Sequence, residues 1–124
     1  MDKLKFISEQ MARIAVPYEF GEWSSSVTYP YFVGEYTDEA MTSEDGSESC
    51  TFILTGFNRG KYITLEEVKN KIKKHFPAIE GARAQTENGA IAVFFDGAYF
   101  IPTGEAELKK IQINLKIKQW KGDL

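Results

Sequence analysis

Residues 49–76 read SCTFILTGFNRGKYITLEEVKNKIKKHF, and this stretch decides the fold. From Cys50 to Thr55 the even positions are apolar, and threonines flank Ile53 on the odd positions. A period of two predicts a strand with one face on a core and the other face nearer water. Gly56 interrupts this pattern and Phe57 resumes it on the opposite parity, which predicts a bulge or a bend at the strand end.

A helix is predicted after the polar turn that follows this strand. Thr64 and Glu67 have the spacing of a capping box, and Ile63 and Val68 have the spacing of a hydrophobic staple. These signals place the helix at Thr64–His75.

The apolar side of this helix is marked by spacings of three and four residues. Four residues therefore share one face: Leu65, Val68, Ile72 and Phe76. Lysines hold much of the remaining surface, and Pro77 ends the helix. The stretch predicts a strand, a turn and a helix that lies across a sheet.

The composition is that of one globular domain. The chain has 124 residues, of which 43% are apolar and 27% charged, so we treat 1–124 as a single domain with one core. One cysteine excludes an internal disulfide, which fits a reducing compartment or a particle assembled in the cytoplasm. No apolar run approaches the ~20 residues of a membrane span, and no signal-peptide run follows Met1–Lys5.

The net charge of −3 argues against a general nucleic-acid binder and conceals an asymmetry. Six acidic residues and no basic ones lie between Glu35 and Glu48. The C-terminal segment from Leu108 to Gly122 contains no acid and carries five lysines: Lys109, Lys110, Lys116, Lys118 and Lys121.

The N-terminal half predicts one more helix and one more strand. Apolar residues at helical spacing predict a helix over residues 2–15. Thr28–Thr37 is predicted as the first strand, with Pro30 at an edge or at the strand start because proline cannot donate to a ladder. Asp38–Ser47 is predicted as a long acidic loop that joins two antiparallel strands. We expect Asp38–Gly46 to be poorly ordered in an isolated subunit and to gain order or a partner in an assembly.

The C-terminal half predicts a hairpin and a final strand. Asn88-Gly89 is a strong signal for a type I′ hairpin turn, and Asp96-Gly97 marks a second turn or a bulge. In the final strand, apolar residues alternate strictly with polar ones: Ile111, Ile113, Leu115 and Ile117. We therefore predict an α+β domain, an antiparallel or mixed sheet of four or more strands with two helices packed on it.

The sequence contains few of the patterns that mark catalytic or metal-binding sites. One His and one Cys disfavour a transition-metal site, and the acidic loop lacks the alternating spacing of a calcium loop. Cys50 shares parity with the buried side of its strand, so it is interpreted as a small core residue, and His75 lies in the last helical turn. We expect no enzymatic activity, no cofactor and no metal.

The lysine-rich end and the aromatic connection leave alternatives open. Trp120 among lysines could stack on a single-stranded nucleic acid, but we favour the solvent face of an amphipathic strand whose lysines discourage edge-to-edge aggregation. Trp23 is either packed on the sheet edge, which we favour, or exposed to a partner.

Three segments carry a resemblance to a known family: YPYFVGEY at 29–36, TFILTGFNRG at 51–60 and LEEVK at 65–69. In this order, after a first helix and before a hairpin and a last strand, they resemble the tail-terminator and tail-completion proteins of long-tailed bacteriophages and Gram-positive prophages. The similarity runs from about Ile7 to Ile117. It implies a small α+β protein that forms a ring, usually of six subunits, which caps the tail tube and joins it to the head.

This resemblance implies no catalytic residues. It implies self-association, contacts with the tail tube protein and head–tail connector proteins, and a place in the virion tail after assembly in the bacterial cytoplasm. The expected ring contact sets the acidic loop of one subunit against the lysine strand of the next. Its candidate residues are Trp23, Tyr31, Asp38, Glu39, Glu44, Asp45, Lys110, Lys116 and Lys118.

Alternatives to this contact and to this function remain. The acidic loop could instead line the lumen of the ring, where its charge would repel DNA. From another class of function, the chain could be a small-molecule or peptide-binding domain with a pocket of Tyr18, Phe20, Trp23, Tyr29 and Tyr31. A tube subunit or a connector component is a third possibility.

Overall fold

The computed structural model describes residues 2–24, 26–42, 46–86 and 89–121. The elements follow in the order α1 (Asp2–Arg13), β1 (Tyr18–Phe20), β2 (Tyr31–Thr42), β3 (Ser47–Arg59), α2 (Tyr62–His75), β4 (Ala82–Thr86), β5 (Gly89–Ile101) and β6 (Leu108–Lys121). The strands form one six-stranded mixed sheet, and the predicted α+β fold with two helices is confirmed.

The sheet has the strand order β1-β2-β3-β6-β5-β4. β1 pairs with β2 in parallel, and the other neighbouring strands are antiparallel. β6 therefore lies inside the sheet, between β3 and β5. The prediction that its lysines discourage edge-to-edge aggregation is wrong, because both edges of β6 are paired with other strands.

Both helices pack on one face of the sheet, and we call this the helix face. The predicted stripe of α2 is confirmed, since Leu65, Ile72 and Phe76 are fully buried and Val68 packs against the core. The alternation of β6 is confirmed as well. The core combines α1, α2 and the inward residues of the strands: Ile7, Met11, Phe32, Phe52, Leu54, Leu65, Ile72, Phe76, Val93, Ile111, Ile113, Leu115 and Ile117.

Gly56 does not form a bulge, contrary to the prediction. β3 keeps its register with both neighbours through this position. A Cβ on Gly56 would lie 2.2 Å from the ring of Phe32 on the paired strand, and one on Gly34 would lie 2.6 Å from the ring of Phe52. The two glycines thus make room for two core rings, which is the other common reason for glycine inside a strand.

The start of α2 was also predicted wrongly. The helix begins at Tyr62, two residues before the predicted start, and Lys61 occupies the N-cap without a side-chain hydrogen bond. Thr64 therefore lies inside the helix and cannot form the predicted capping box. Ile63 is 60% exposed, which rules out a buried staple. The Asn58 side chain holds this corner, donating from Nδ2 to the carbonyl of Lys61 at 2.9 Å.

The acidic segment is more regular than predicted. β2 continues to Thr42 and β3 begins at Ser47, so the prediction of a loop is wrong for 38–42 and for Ser47. A register shift between Asp38 and Thr42 accommodates the irregular pairing. Residues 43–45 lie outside the described part of the chain. The predicted antiparallel pairing of the two flanking strands is confirmed.

Three smaller differences complete the fold. The first long strand begins at Tyr31 after a cis Tyr29–Pro30 peptide bond, and the short strand β1 was not predicted. The hairpin of β4 and β5 is confirmed by the pairing of Thr86 with Gly89, and Asn88 of the predicted turn lies outside the described residues. At Asp96 the register shifts inside a single long strand, which confirms a bulge there.

Candidate interaction surfaces

A groove of 480 Å³ lies on the face of the sheet opposite the helices, which we call the open face. The segment after β1 folds over β2 and β3 and forms one wall. The walls include three aromatic residues and two valines, with two carboxylates: Trp23, Tyr31, Phe57, Val27, Val33, Glu22 and Glu35. We call this site the aromatic groove.

The groove is built by aromatic stacking on adjacent strands. Tyr31 and Phe57 are paired across β2 and β3, and their rings stack with centroids 5.1 Å apart. Trp23 packs on the other side of Tyr31, again with centroids 5.1 Å apart. The backbone N–H of Gly21 donates to the carbonyl of Gly34 at 2.8 Å and so holds the start of the covering segment against β2. Trp23 is therefore half-buried on the sheet, as favoured from the sequence.

The charge of the groove is mainly acidic. Glu22 and Glu35 line it and are exposed. Two cations lie at its border, with the guanidinium of Arg59 5.7 Å from the Tyr29 ring and Nζ of Lys110 5.6 Å from the Phe57 ring. Burial, and to a smaller extent the neighbouring Tyr29, raise the pKa of Tyr31, so its hydroxyl remains a donor at neutral pH.

The five aromatics proposed from the sequence to line one pocket are divided between the two faces. Trp23 and Tyr31 line the groove, and Tyr29 packs beside Tyr31 with ring centroids 5.7 Å apart. Tyr18 and Phe20 instead lie on the helix face, each with its ring centroid 6.3 Å from that of Phe52. β1 pairs Tyr18 with Phe32 and Phe20 with Gly34, so both rings lie on the same face as the buried Phe32.

A second exposed apolar surface lies at the β5 side of the sheet, and sequence reasoning missed it. Tyr62, Ile63 and Phe100 are 49%, 60% and 38% exposed. The rings of Tyr62 and Phe100 meet edge to face at 4.9 Å, and Nζ of Lys109 lies 4.7 Å from the centre of the Tyr62 ring. We call Tyr62, Ile63, Phe100, Lys61 and Lys109 the edge patch.

The structure places some of the charged residues proposed for the ring contact. Asp38 accepts a hydrogen bond from Lys3 at 2.7 Å, so it already has a partner in its own subunit. Lys116 and Lys118 pair in register with Thr51 and Ser49 of β3. Glu39 lies in β2, Lys110 lies in β6, and Glu44 and Asp45 lie outside the described residues. Asp38 and Lys116 and Lys118 are therefore on strands that flank β3 on its two sides.

Cys50 and His75 lie near different residues of α1. Cys50 is buried on β3, close enough to Lys3 to influence its pKa. His75 places Nε2 2.6 Å from Oε1 of Gln10. Lys3 and Gln10 are seven residues apart on α1, a distance of about 10 Å along the helix. Burial, together with the charge of Arg13, lowers the pKa of His75.

Two searches and two comparisons bear on other functions. Within the described ranges, no group of three or more His, Cys, Asp or Glu side chains is placed to hold a metal ion. No helix found in that part of the chain is long and apolar enough to cross a bilayer. No protein-family model matches the chain, and a comparison with curated proteins gives no significant match.

Proposed function

We propose that this protein is a structural subunit of a phage tail, which forms a ring on the end of the tail tube and joins the tube to the head. The segments that carry the resemblance are contiguous in space. β2 and β3 pair from Tyr31 and Phe57 onward, and α2 follows β3 after a connection of two residues and packs on the same core. This arrangement supports the proposal.

The observation that carries the proposal is the pair of different apolar surfaces on opposite sides of the sheet. A ring requires each subunit to offer one surface to the preceding neighbour and a different surface to the next. The aromatic groove belongs to β2 and β3, whereas the edge patch belongs to β5 and the start of α2. Large contiguous aromatic surfaces on a small protein commonly mark contacts with other proteins.

The proposed partners are other copies of the chain, the tail tube protein and components of the head–tail connector. The proposed location is the virion tail, reached after assembly in the bacterial cytoplasm. No function in sequence-specific nucleic-acid recognition is proposed, since the formal charge of the chain is −3.

A tube-capping assay tests this function. Purified tail tubes are incubated with the protein and imaged by negative-stain electron microscopy, and fresh tube subunits are then added. We expect extra density at one end of each tube and no further growth from that end. Bare ends at saturating protein would contradict the proposal. Incorporation along the tube wall would identify a tube subunit instead.

The aromatic groove also favours a second candidate function, the binding of a small molecule or a peptide. Its 480 Å³ volume lies in the range of ligand pockets, and aromatic walls with a few polar groups are typical of them. Trp23 fluorescence provides the test, with Trp120 replaced by Phe to isolate the signal. A screen of cationic peptides against this variant should show saturable quenching if the groove is a ligand site, and no compound should quench it specifically otherwise.

A further inference from the structure

We propose that the edge patch of one copy docks into the aromatic groove of the next copy, head to tail. This inference rests on the proposed ring-forming function and identifies the two surfaces that would form the ring. It differs from the contact expected from the sequence, in which the acidic loop of one subunit meets the lysine strand of the next, and that expectation stays a prediction.

The positions of the two surfaces in the sheet suit a closed ring. Register pairs connect Phe32 to Gly56, Gly56 to Ile111, and Ile111 to Phe100. Phe100 therefore lies on the same cross-strand row as Phe32, next to Tyr31, three strand spacings or about 14 Å away. The two surfaces are therefore level along the strands. We expect that docking the patch of one subunit in the groove of the next rotates the second subunit relative to the first and shifts it little along the strand direction. A closed ring needs this, whereas a large shift would give an open helix.

The charges of the two surfaces are complementary. Glu22 and Glu35 line the groove, and Lys61 and Lys109 belong to the edge patch. Arg59 at the groove border and Glu105 beside Tyr62 and Lys109 neutralise each other in an ion pair of 3.1 Å, which leaves Lys110 as the opposing charge at the groove border. A groove meeting a groove, or a patch meeting a patch, would set like charges against each other. Like-charge contacts suppress wrong pairings, so these charges favour the head-to-tail contact over a two-fold symmetric dimer.

The apolar side chains supply the expected binding energy. Aromatic residues carry a large share of the energy of most interfaces, and they do so at the centre of the contact, where water is excluded. Tyr62 and Phe100 can provide such anchors to a groove walled by Trp23 and Tyr31. The carboxylates and lysines then form the polar rim.

Two matched variants test the contact by mixing. Val27→Asp places a charge in the groove, and Ile63→Asp places one in the edge patch; Val27 is 52% exposed and Ile63 60%, so neither replacement removes a buried side chain. Ile79→Asp is the control, because Ile79 is 88% exposed and belongs to neither surface. Circular dichroism verifies that all three variants are folded.

Sedimentation velocity gives the readout. We expect rings for the wild type and the control, monomers for each of the other two variants alone, and a one-to-one dimer when these two are mixed. The dimer forms because each variant retains one intact surface and the two remaining surfaces are complementary. Rings from either variant alone, or no dimer in the mixture, would overturn the inference. So would a wild type that remains monomeric up to about 1 mM, where even a contact of −4 kcal/mol would be visible.

The tube-capping assay separates this inference from the proposed function. If the wild type caps tubes and both surface variants cap them equally well, the contact is wrong and the tail function stands. If mixing behaves as expected but no protein binds tubes, the contact stands and the tail function fails.

Discussion

The two faces of β3 differ in how their side chains are covered. On the helix face, Phe52 and Leu54 are fully buried beneath α1 and α2. On the open face, Ile53 and Phe57 of the same strand are only half-buried, although they are as apolar. One strand thus carries an apolar row that completes the core and a mixed row, in which threonines alternate with Ile53 and Phe57, that is left partly accessible.

This difference separates stability from interaction. The helix face is closed by elements of the chain itself, so we expect its residues to determine the free energy of unfolding. The open face is closed only in part, by the segment that carries Trp23, so we expect its residues to contribute less to stability and more to contacts with other molecules.

The largest expected effect contrasts two phenylalanines of β3. Replacing Phe52 by Ala should lower the free energy of unfolding by about 3–5 kcal/mol, because it empties a fully buried site. Replacing Phe57 by Ala should cost about 1–2 kcal/mol, because that ring is half-buried and loses mainly its stacking on Tyr31. Urea unfolding of both variants measures the difference. Equal losses would show that the open face belongs to the core.

The next effect concerns the close approach of Phe32 to Gly56. Gly56→Ala should destabilise the protein by about 1–3 kcal/mol, since the added methyl group overlaps the Phe32 ring. Phe32→Leu frees space at the same point, so the double variant should be more stable than the sum of the single losses predicts. Urea unfolding of the four proteins in this cycle gives the coupling energy. Additive losses would contradict the packing described for this pair.

A smaller effect on stability is expected from the ion pair between Lys3 and Asp38. The Lys3 side chain is 9% exposed, and its Nζ lies 2.7 Å from Oδ1 of Asp38 and 4.1 Å from the centre of the Tyr36 ring. Burial alone would lower the pKa of Lys3, but the hydrogen bond to Asp38 and nearby negative charge raise it above its ordinary value of 10.5.

Asp38→Asn retains an acceptor and removes the charge, and it should lower the free energy of unfolding by about 1 kcal/mol at pH 7. Because the pKa of Lys3 is raised in the folded protein, this contribution is complete below pH 10.5 and is lost above it. Thermal unfolding at pH 7 provides the measurement, with Glu35→Asn on the open face as the control. Equal stabilities of the Asp38 variant and the wild type would contradict the role of the pair.

The smallest effect is a pH dependence from His75. Its pKa is lowered from 6.5 by burial and by Arg13, so the unfolded chain binds a proton more readily than the folded protein does. Stability should therefore fall as the pH decreases from 6.5 toward the lowered pKa. His75→Gln can still bond Gln10 and cannot titrate, so it should lose less stability than the wild type between pH 7 and pH 5. An identical pH dependence in both proteins would rule out this contribution.

The features of the fold that are predicted correctly from the sequence are those that local periodicity determines. The alternation of β6, the apolar stripe of α2 and the strand parity from Cys50 to Thr55 each place their core residues correctly. Gly56 could not be interpreted from its neighbours because the reason for it is Phe32, which lies 24 positions earlier and meets it only across the sheet. The start of α2 depends likewise on Asn58 and on no capping motif.

The candidate surfaces are predicted less completely than the fold. Trp23 is identified because it falls in the aromatic-rich connection before the first predicted strand, and Tyr31 because it belongs to that strand. The sequence places Ile63 in a hydrophobic staple and gives Tyr62 no role, so the exposure of these two residues was not foreseen. Phe100 shares strand parity with the core, and only the position of α2 leaves it partly open.

The central claim is that two different surfaces of this protein bind each other in neighbouring copies. Hydrogen exchange measured by mass spectrometry over a range of protein concentrations tests it most directly, by comparing peptides from 21–34 and 96–109 with peptides from α1. The account predicts that both surface peptides gain protection over the same concentration range, lose it together when salt is raised, and leave α1 unchanged. Protection of only one surface peptide, or of neither, would contradict the account.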